Sequence, residues 1–468
     1  MRGSRDFELS SASGKCLRQR VTGAARPILL ITFDVIGPRI GGSAIRVLGL
    51  ARALADAGHL PTIAAARIEE GHPDQPFPIR PFASANPRKA LEPFLEGAAC
   101  VVLPLHALAQ LPFLRKARIP LVFDIYDPVL FELLETAPDA AAGNATEKMR
   151  SHVQLLNHVL RRGDFFICAS ERQRDFWLGA LVANGRIIAS ATADPELRDL
   201  IDVVPFGIDP TPILPATAGR LNLTAAIPAL AGAERIVVWP GGIWDWTDSQ
   251  IVMRAMRILA QSSPGIHVVL FAGRHPTEGQ IATSAAEKAR ALANEFQLND
   301  RSVHFIDDYI PWGERGRYLA ECDAAVSTHR ANLESRFAYR TRLLDCFWAG
   351  LPIVCTGGDV MAEMVARHGF GIVVPAGNAE ALACAFERIC MDAEFAATCR
   401  THIAENRRRF GWNDAVEPLA RFCRQPRVTH VAAPAKDACM LAESAWRVFK
   451  TYGALETLQR LRRHLRSR

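Results

Sequence analysis

Residues 28–66 read ILLITFDVIGPRIGGSAIRVLGLARALADAGHLPTIAAA. The opening ILLITF (28–33) is a short, β-branched apolar run, and Gly37-Pro38-Arg39-Ile40-Gly41-Gly42-Ser43 interrupts it with turn formers. Helical periodicity follows over 43–57, stops at Gly58-His59, and gives way to a second apolar run at 61–66. Strand, glycine turn, helix, strand is the unit from which parallel sheets are built. The same alternation extends outward from it. Strands are expected at 99–104, 120–124, 164–168 and 201–204, with helices near 148–161 and 170–183. Pro205, Pro210, Pro212 and Pro215 then break the pattern. It restarts with strands at 235–239, 266–271, 302–305, 323–327, 352–355 and 371–374, and with helices near 248–261, 281–296, 312–320, 340–348 and 378–390. The expected architecture is α/β, with two doubly wound, Rossmann-like domains of similar size facing each other across a cleft. The first spans 27–205 and the second 206–424, after a loose leader (1–26) and before a tail (425–468).

Composition agrees with that size. A chain of 468 residues with 49% hydrophobic and 22% charged residues is globular and too long for one small module. The net charge is +6, but residues 440–468 hold seven Lys/Arg against two Glu, so this tail carries +5 and the body is nearly neutral. A neutral body gives no reason to expect a nucleic-acid groove, whereas the basic tail suits an anionic surface. Leu455, Leu458, Leu461 and Leu465 lie at helical spacing within it, so it reads as a basic amphipathic helix that either docks on the body or touches a membrane. Eleven cysteines without a C-x-x-C pair argue against a disulfide framework and a structural zinc site. The leader lacks an apolar signal region, and the most apolar stretch (97–114) is broken by Pro104, His106, Gln110 and Pro112, so a cytoplasmic protein is expected.

Three segments can carry chemistry. The first is the turn at Gly41 and Gly42, which leaves a helix N-terminus open to an anion and is followed by Arg46; plain turn chemistry is the competing reading. The second is Pro240-Gly241-Gly242-Ile243-Trp244-Asp245-Trp246-Thr247-Asp248, its counterpart after the first strand of the second half. Trp244 and Trp246 can stack on a base or a sugar ring, or simply pack. The third runs from Glu334 to Asp345 and on through Ala349-Gly350-Leu351-Pro352. Arg340 and Arg342 fall at a helix start, where the dipole disfavours cations unless an anion is bound; a solvated helix start with a surface ion pair is the alternative.

In these residues the chain resembles the GT-B glycosyltransferases, closest to the retaining nucleotide-sugar transferases of glycosyltransferase family 4. Gly41-Gly42 through Gly58-His59 is similar to the family's GG…R…LA…LA…GH opening, and Ala169-Ser170 with Arg174 to its S…R segment. Val204-Pro205-Phe206-Gly207-Ile208-Asp209 resembles the V-P-N-G-V-D that closes the first domain, and Asp345 through Pro352 lies where the family reads E-A-x-A-x-G-x-P. The resemblance implies that Asp345 accepts hydrogen bonds from the nucleotide ribose and that Gly241 and Gly242 admit the donor diphosphate. It also implies that Gly41, Gly42 and Arg46 border the diphosphate and acceptor side. Transfer without a metal or other cofactor is implied, and no D-x-D pair is present. The partners implied are a nucleotide-diphosphate sugar, which is a substrate, and a hydroxyl acceptor, a lipid-linked glycan among the options, in surface or secreted glycan synthesis.

The departures are specific. The family's acid pair is eight residues apart, whereas Glu334 precedes Asp345 by eleven. Its Arg and Lys after the second-domain glycines are missing, because Gly241 to Ser249 contains neither, so Arg340, Arg342 and Arg274 are the candidate cations. Where the family often has a histidine near the reacting sugar, the strand PLVFDIYDP has Tyr126 and Asp127. His106, after the preceding strand, is the nearest histidine, so Asp127, Tyr126 and His106 are the catalytic candidates, with a purely structural His106 as the alternative. A GT-B nucleotide-sugar epimerase and a catalytically silent GT-B partner subunit are the rival functions.

Overall fold

The computed structural model describes residues 26–72, 74–82, 86–135, 142–187, 194–209, 213, 220–273 and 284–429. The leader through 25 and the proposed tail helix lie outside the described residues, as does Arg274.

The chain forms two parallel sheets. The first contains β1 (Ile28–Ile36), β2 (Pro61–Ile68), β3 (Ile79–Pro81), β4 (Cys100–Pro104), β5 (Leu121–Asp124), β6 (Phe165–Cys168) and β7 (Ile201–Val203), in the order β3-β2-β1-β4-β5-β6-β7. The second contains β8 (Arg235–Trp239), β9 (Ile266–Phe271), β10 (Val303–Ile306), β11 (Ala324–Ser327), β12 (Ile353–Thr356) and β13 (Gly371–Val374), in the order β10-β9-β8-β11-β12-β13. Every expected strand is present. Helices cover both faces of each sheet, so the central strands are buried on both sides and read as unbroken apolar runs. In such sheets the crevice opens where the strand order reverses. Those points lie between β1 and β4 in one sheet and between β8 and β11 in the other. They place the turns after β1 and β8, the two glycine clusters, at the sheet ends where ligands bind.

Helices Gly42–Asp56, Ala142–Arg162, Glu171–Ala183, Ser249–Ser262, Ala285–Glu295, Thr341–Ala349 and Ala379–Met391 follow the expected spans closely. The span 312–320 is a 3₁₀ turn, Trp312–Glu314, leading into the helix Arg315–Ala320. Not foreseen are the edge strand β3 and several further helices, including Pro87–Gly97, Val129–Glu135, Leu333–Phe337, Val360–His368 and Ala393–Asn406.

The division at 205/206 assigns residues 412–424 to the second domain, but they pack on the first. Val416, Leu419, Ala420, Phe422 and Cys423 belong to the same core as Ile28, Leu50, Cys100 and Phe165, and the Phe165 and Phe422 rings stack at 4.7 Å. The chain therefore crosses between the sheets twice. The crossings run side by side: the Ile208 N–H donates to the Phe410 carbonyl at 2.8 Å, and Trp412 packs against Phe206.

Candidate active site

Arg46 sits on an otherwise apolar helix face and is buried. Its Nε and Nη2 donate to both Asp124 oxygens, at 2.5 and 3.0 Å, and Nη2 also donates to the Val204 carbonyl at 2.8 Å. Burial works against its charge, but Asp124, together with Tyr126 and Asp127, outweighs this and the guanidinium pKa is raised. Tyr126 lies under the same guanidinium, 4.6 Å from ring centroid to carbon. Arg46 is thus engaged inside the first domain, tying the helix after the first glycine turn to the end of β5.

The catalytic candidates line the rim above this pair. Asp127 opens into the cleft, yet the protein crowded around it removes much of its water; that effect, together with Asp124, pushes its carboxyl up to about 7. The Tyr126 hydroxyl is held well above its ordinary value, first by burial and then by Asp127. His106 is exposed at the end of β4 with its ring 5.1 Å from Phe33, and loss of hydration lowers its pKa despite Asp34 nearby. Glu132, which sequence reasoning passed over, is pushed well up by burial, by Asp127 and by Glu334 from the opposite domain. Asp127, Glu132 and Glu334 therefore converge from the two sides of the cleft.

On the second domain, the turn after β8 is open at Gly241, whereas a Cβ at Gly242 would lie 3.3 Å from the Trp244 indole. A Cβ at Gly241 would meet nothing within 4 Å, and the same holds for Gly42 across the cleft. Trp244 and Trp246 stack on each other, 5.2 Å apart and 1° from parallel. The turn is fastened to the loop after β11, because Asp248 N–H donates to the Thr328 carbonyl at 2.9 Å and the Thr328 hydroxyl to the Asp248 carbonyl at 2.6 Å. The two loops at this reversal point are thus bonded to each other.

The two arginines at the third segment part company. Arg340 is the N-cap residue of the helix Thr341–Ala349 rather than part of its first turn, and it points inward, forming a buried ion pair with Asp359 and donating to the Ser327 carbonyl at 3.2 Å. It is not presented to the cleft. Arg342 lies over the Trp239 ring at 5.3 Å, and its Nη1 is buried with no hydrogen-bond partner. Burial and then Arg340 push its pKa down to about 10. Asp345, one turn on, pairs with Arg315 at 2.6 Å, and the same Arg315 nitrogen donates to the Pro240 carbonyl at 2.6 Å. Burial raises the Asp345 pKa against the pull of Arg315 and Arg342. Glu334 is buried 3.5 Å from His329 Nδ1, and burial pushes its carboxyl up to about 7.

The domains touch around these groups. The Tyr309 hydroxyl donates to the Ile40 carbonyl, and Trp312 N–H to the Pro38 carbonyl at 3.3 Å. Phe337 stacks on Phe131 and packs against Phe176, while Gln173 Nε2 donates to the carbonyls of Tyr126 (2.7 Å) and Phe337 (2.8 Å). The structure thus brings Gly241, Arg342, Asp345 and Glu334 to one side and Gly42, Tyr126, Asp127 and His106 to the other. Sequence reasoning missed Arg315, Asp124, Asp359, His329 and Glu132. Arg315 has a legible signal, since it too begins a helix, the position the sequence suggests for Arg340 and Arg342.

Residues 234–392 match the family described as glycosyl transferases group 1. No curated protein sequence matches the chain. Among solved structures, the chain is similar to the sucrose-phosphate synthase of Thermosynechococcus elongatus, with 20% identity, 86% of this chain and 98% of that one covered, and a TM-score of 0.58. It is also similar to Anabaena Alr3699/HepE in complex with UDP and glucose (16% identity, 86% and 100% covered, TM-score 0.60). A third is WaaG, a glycosyltransferase involved in lipopolysaccharide biosynthesis (14% identity, 85% and 100% covered, TM-score 0.58). Most of the second domain thus matches the group 1 glycosyl transferase family, and the two sheets together have the GT-B fold.

Proposed function

We propose that the chain moves a sugar from a nucleotide-diphosphate donor to a hydroxyl acceptor, with retention at the anomeric carbon and without a divalent ion. The observation that carries this reading is Arg342, a guanidinium with a buried, unpartnered nitrogen and no ion pair to a described residue, placed beside the turn that is open at Gly241. A buried cation lacking a carboxylate suits an anionic ligand. In the transfer, the bond between the anomeric carbon and the diphosphate oxygen breaks and the acceptor oxygen takes its place. Arg342 offsets charge on the departing diphosphate, while Asp127, Tyr126 and His106 face the acceptor. A carboxyl with a pKa of about 7 can accept the acceptor's proton near neutral pH.

The UDP complexes of Alr3699/HepE make uridine nucleotides the first donors to try. Purified protein would be incubated with UDP-, GDP-, ADP- and dTDP-sugars, with and without EDTA. Acceptor-dependent nucleotide release that survives EDTA supports the proposal; loss with EDTA, restored by magnesium or manganese, removes its metal-free part. A product sugar formed without acceptor points to epimerisation, and binding without turnover to a silent partner subunit. We further propose assembly of a surface or secreted glycan at the cytoplasmic face of a membrane. No described helix is long and apolar enough to cross a membrane. The basic tail would instead give salt-sensitive binding to anionic vesicles that disappears when Arg460, Arg462, Arg463 and Arg466 become glutamine.

A further inference from the structure

The turn Pro240-Gly241-Gly242 brings no cation of its own, since Gly241 to Ser249 contains neither Lys nor Arg. Of the arginines the sequence offers as substitutes, Arg340 is committed to Asp359 and the Ser327 carbonyl, and only Arg342 remains among the described residues. One guanidinium is little for a diphosphate, which presents two anionic phosphoryl groups.

Arg315 supplies the missing charge from a different element. It begins the helix Arg315–Ala320, and a single nitrogen, Nη2, donates both to the Pro240 carbonyl and to Asp345 Oδ2, each at 2.6 Å. Its guanidinium is therefore fixed against the start of the glycine turn. Nε and Nη1 make no hydrogen bond to a described residue and are not sealed from solvent, although the side chain is only 15% exposed. The group is close enough to Arg342 to help lower that residue's pKa, so two positive charges flank the open turn. Asp345 offsets part of the repulsion between these two guanidiniums, and an anion bound between them would offset the rest. A planar fork held by one nitrogen, with its other donors free, is preorganised to grip a phosphoryl oxygen pair.

Building on the function proposed above, we infer that Arg315 is the second cation of the donor diphosphate site, oriented by Asp345 and replacing the basic residues that the glycine turn lacks. Asp345 then acts on the donor through Arg315 as well as by any contact of its own.

The test uses the full chain and its Arg315→Gln variant, because glutamine keeps a donor for the Pro240 carbonyl while removing the charge. Binding of UDP, GDP, ADP and dTDP, of the corresponding nucleosides and of inorganic pyrophosphate would be measured by calorimetry, with melting temperature as a control. Arg315→Gln is expected to weaken pyrophosphate and the bound nucleoside diphosphate by about tenfold or more, as loss of a charge-assisted contact implies, and to leave nucleoside affinity unchanged. Arg315→Lys, which keeps the charge and provides a second route if the glutamine variant does not fold, should retain part of the diphosphate affinity. Equal affinity of wild type and Arg315→Gln for diphosphate and pyrophosphate would overturn the inference while leaving the transferase reading intact. A parallel loss of nucleoside and diphosphate binding would make Arg315 a mere tether of the turn. A wild-type protein that binds none of these ligands would overturn both.

Discussion

Arg46 and Arg342 are guanidiniums packed against aromatic rings, and a carboxylate separates their roles. Arg46 has Asp124 beneath it, and Arg342 has no acid in ion-pair contact. Removing the first leaves Asp124 without its partner, so Arg46→Ala should cost about 3–5 kcal/mol in urea unfolding. Removing the second relieves a poorly compensated charge. Arg342→Ala should hold or raise stability while weakening nucleoside-diphosphate binding by about 1.5–3 kcal/mol, measured by calorimetry. Asp345→Ala should weaken the same ligand, and unchanged affinity in both variants would remove the donor site from this place. The residue types of the site were readable in the chain, but their pairings were not. Asp359 follows Arg340 by 19 positions and arrives from the next strand-helix loop, and Asp124 is 78 residues from Arg46. Only folding decides which arginine is consumed and which stays available.

Among the elements, the central strands were legible because burial on both faces leaves them as apolar runs. β3 was not, being three residues at the sheet edge, of which Arg80 and Pro81 are exposed. The helix Leu333–Phe337 is too short to show periodicity and is defined by Asn332, whose side chain accepts from Ser335 N–H. Ala393–Asn406 buries only Ala396, Cys399 and Ile403, a stripe too small to stand out. The returning segment at 412–424 hid for another reason: its amphipathic pattern is plain, but nothing in it says which sheet it covers. Its anchor is Trp412, seated where Gly49 and Gly207 have no side chain; a Cβ at Gly49 would lie 2.2 Å from the indole. Gly49→Ala should therefore cost about 1–3 kcal/mol, as overpacking does. In a Trp412→Ala background the cost should largely vanish, and a double-mutant cycle by chemical denaturation would show additivity instead if the contact is unimportant.

Across the whole molecule, the acids that meet in the cleft give stability a pH dependence. Asp127 and Glu334 rise from ordinary values of 3.8 and 4.5 to about 7, chiefly because the folded protein strips water from them. Between those values the folded protein holds more protons than the unfolded chain, so the linkage slope is negative. The contribution of these two acids is complete at the acidic end and declines as pH climbs from about 4 to about 7. Urea midpoints at several pH values should show this fall, and Asp127→Asn with Glu334→Gln should flatten it. An unchanged slope in the double variant would place the titration elsewhere.

The paired crossings at Ile208 and Phe410 bear on how such a molecule can deform. A single connecting strand is a swivel, free to twist as well as bend. Two straps bonded flank to flank behave like a piano hinge, which folds about one line and resists torsion. The glycine turns after β1 and β8 would then separate and meet along a fixed arc. Alignment of donor and acceptor would be built into the connection itself, and cutting either strap would turn a directed stroke into a wobble.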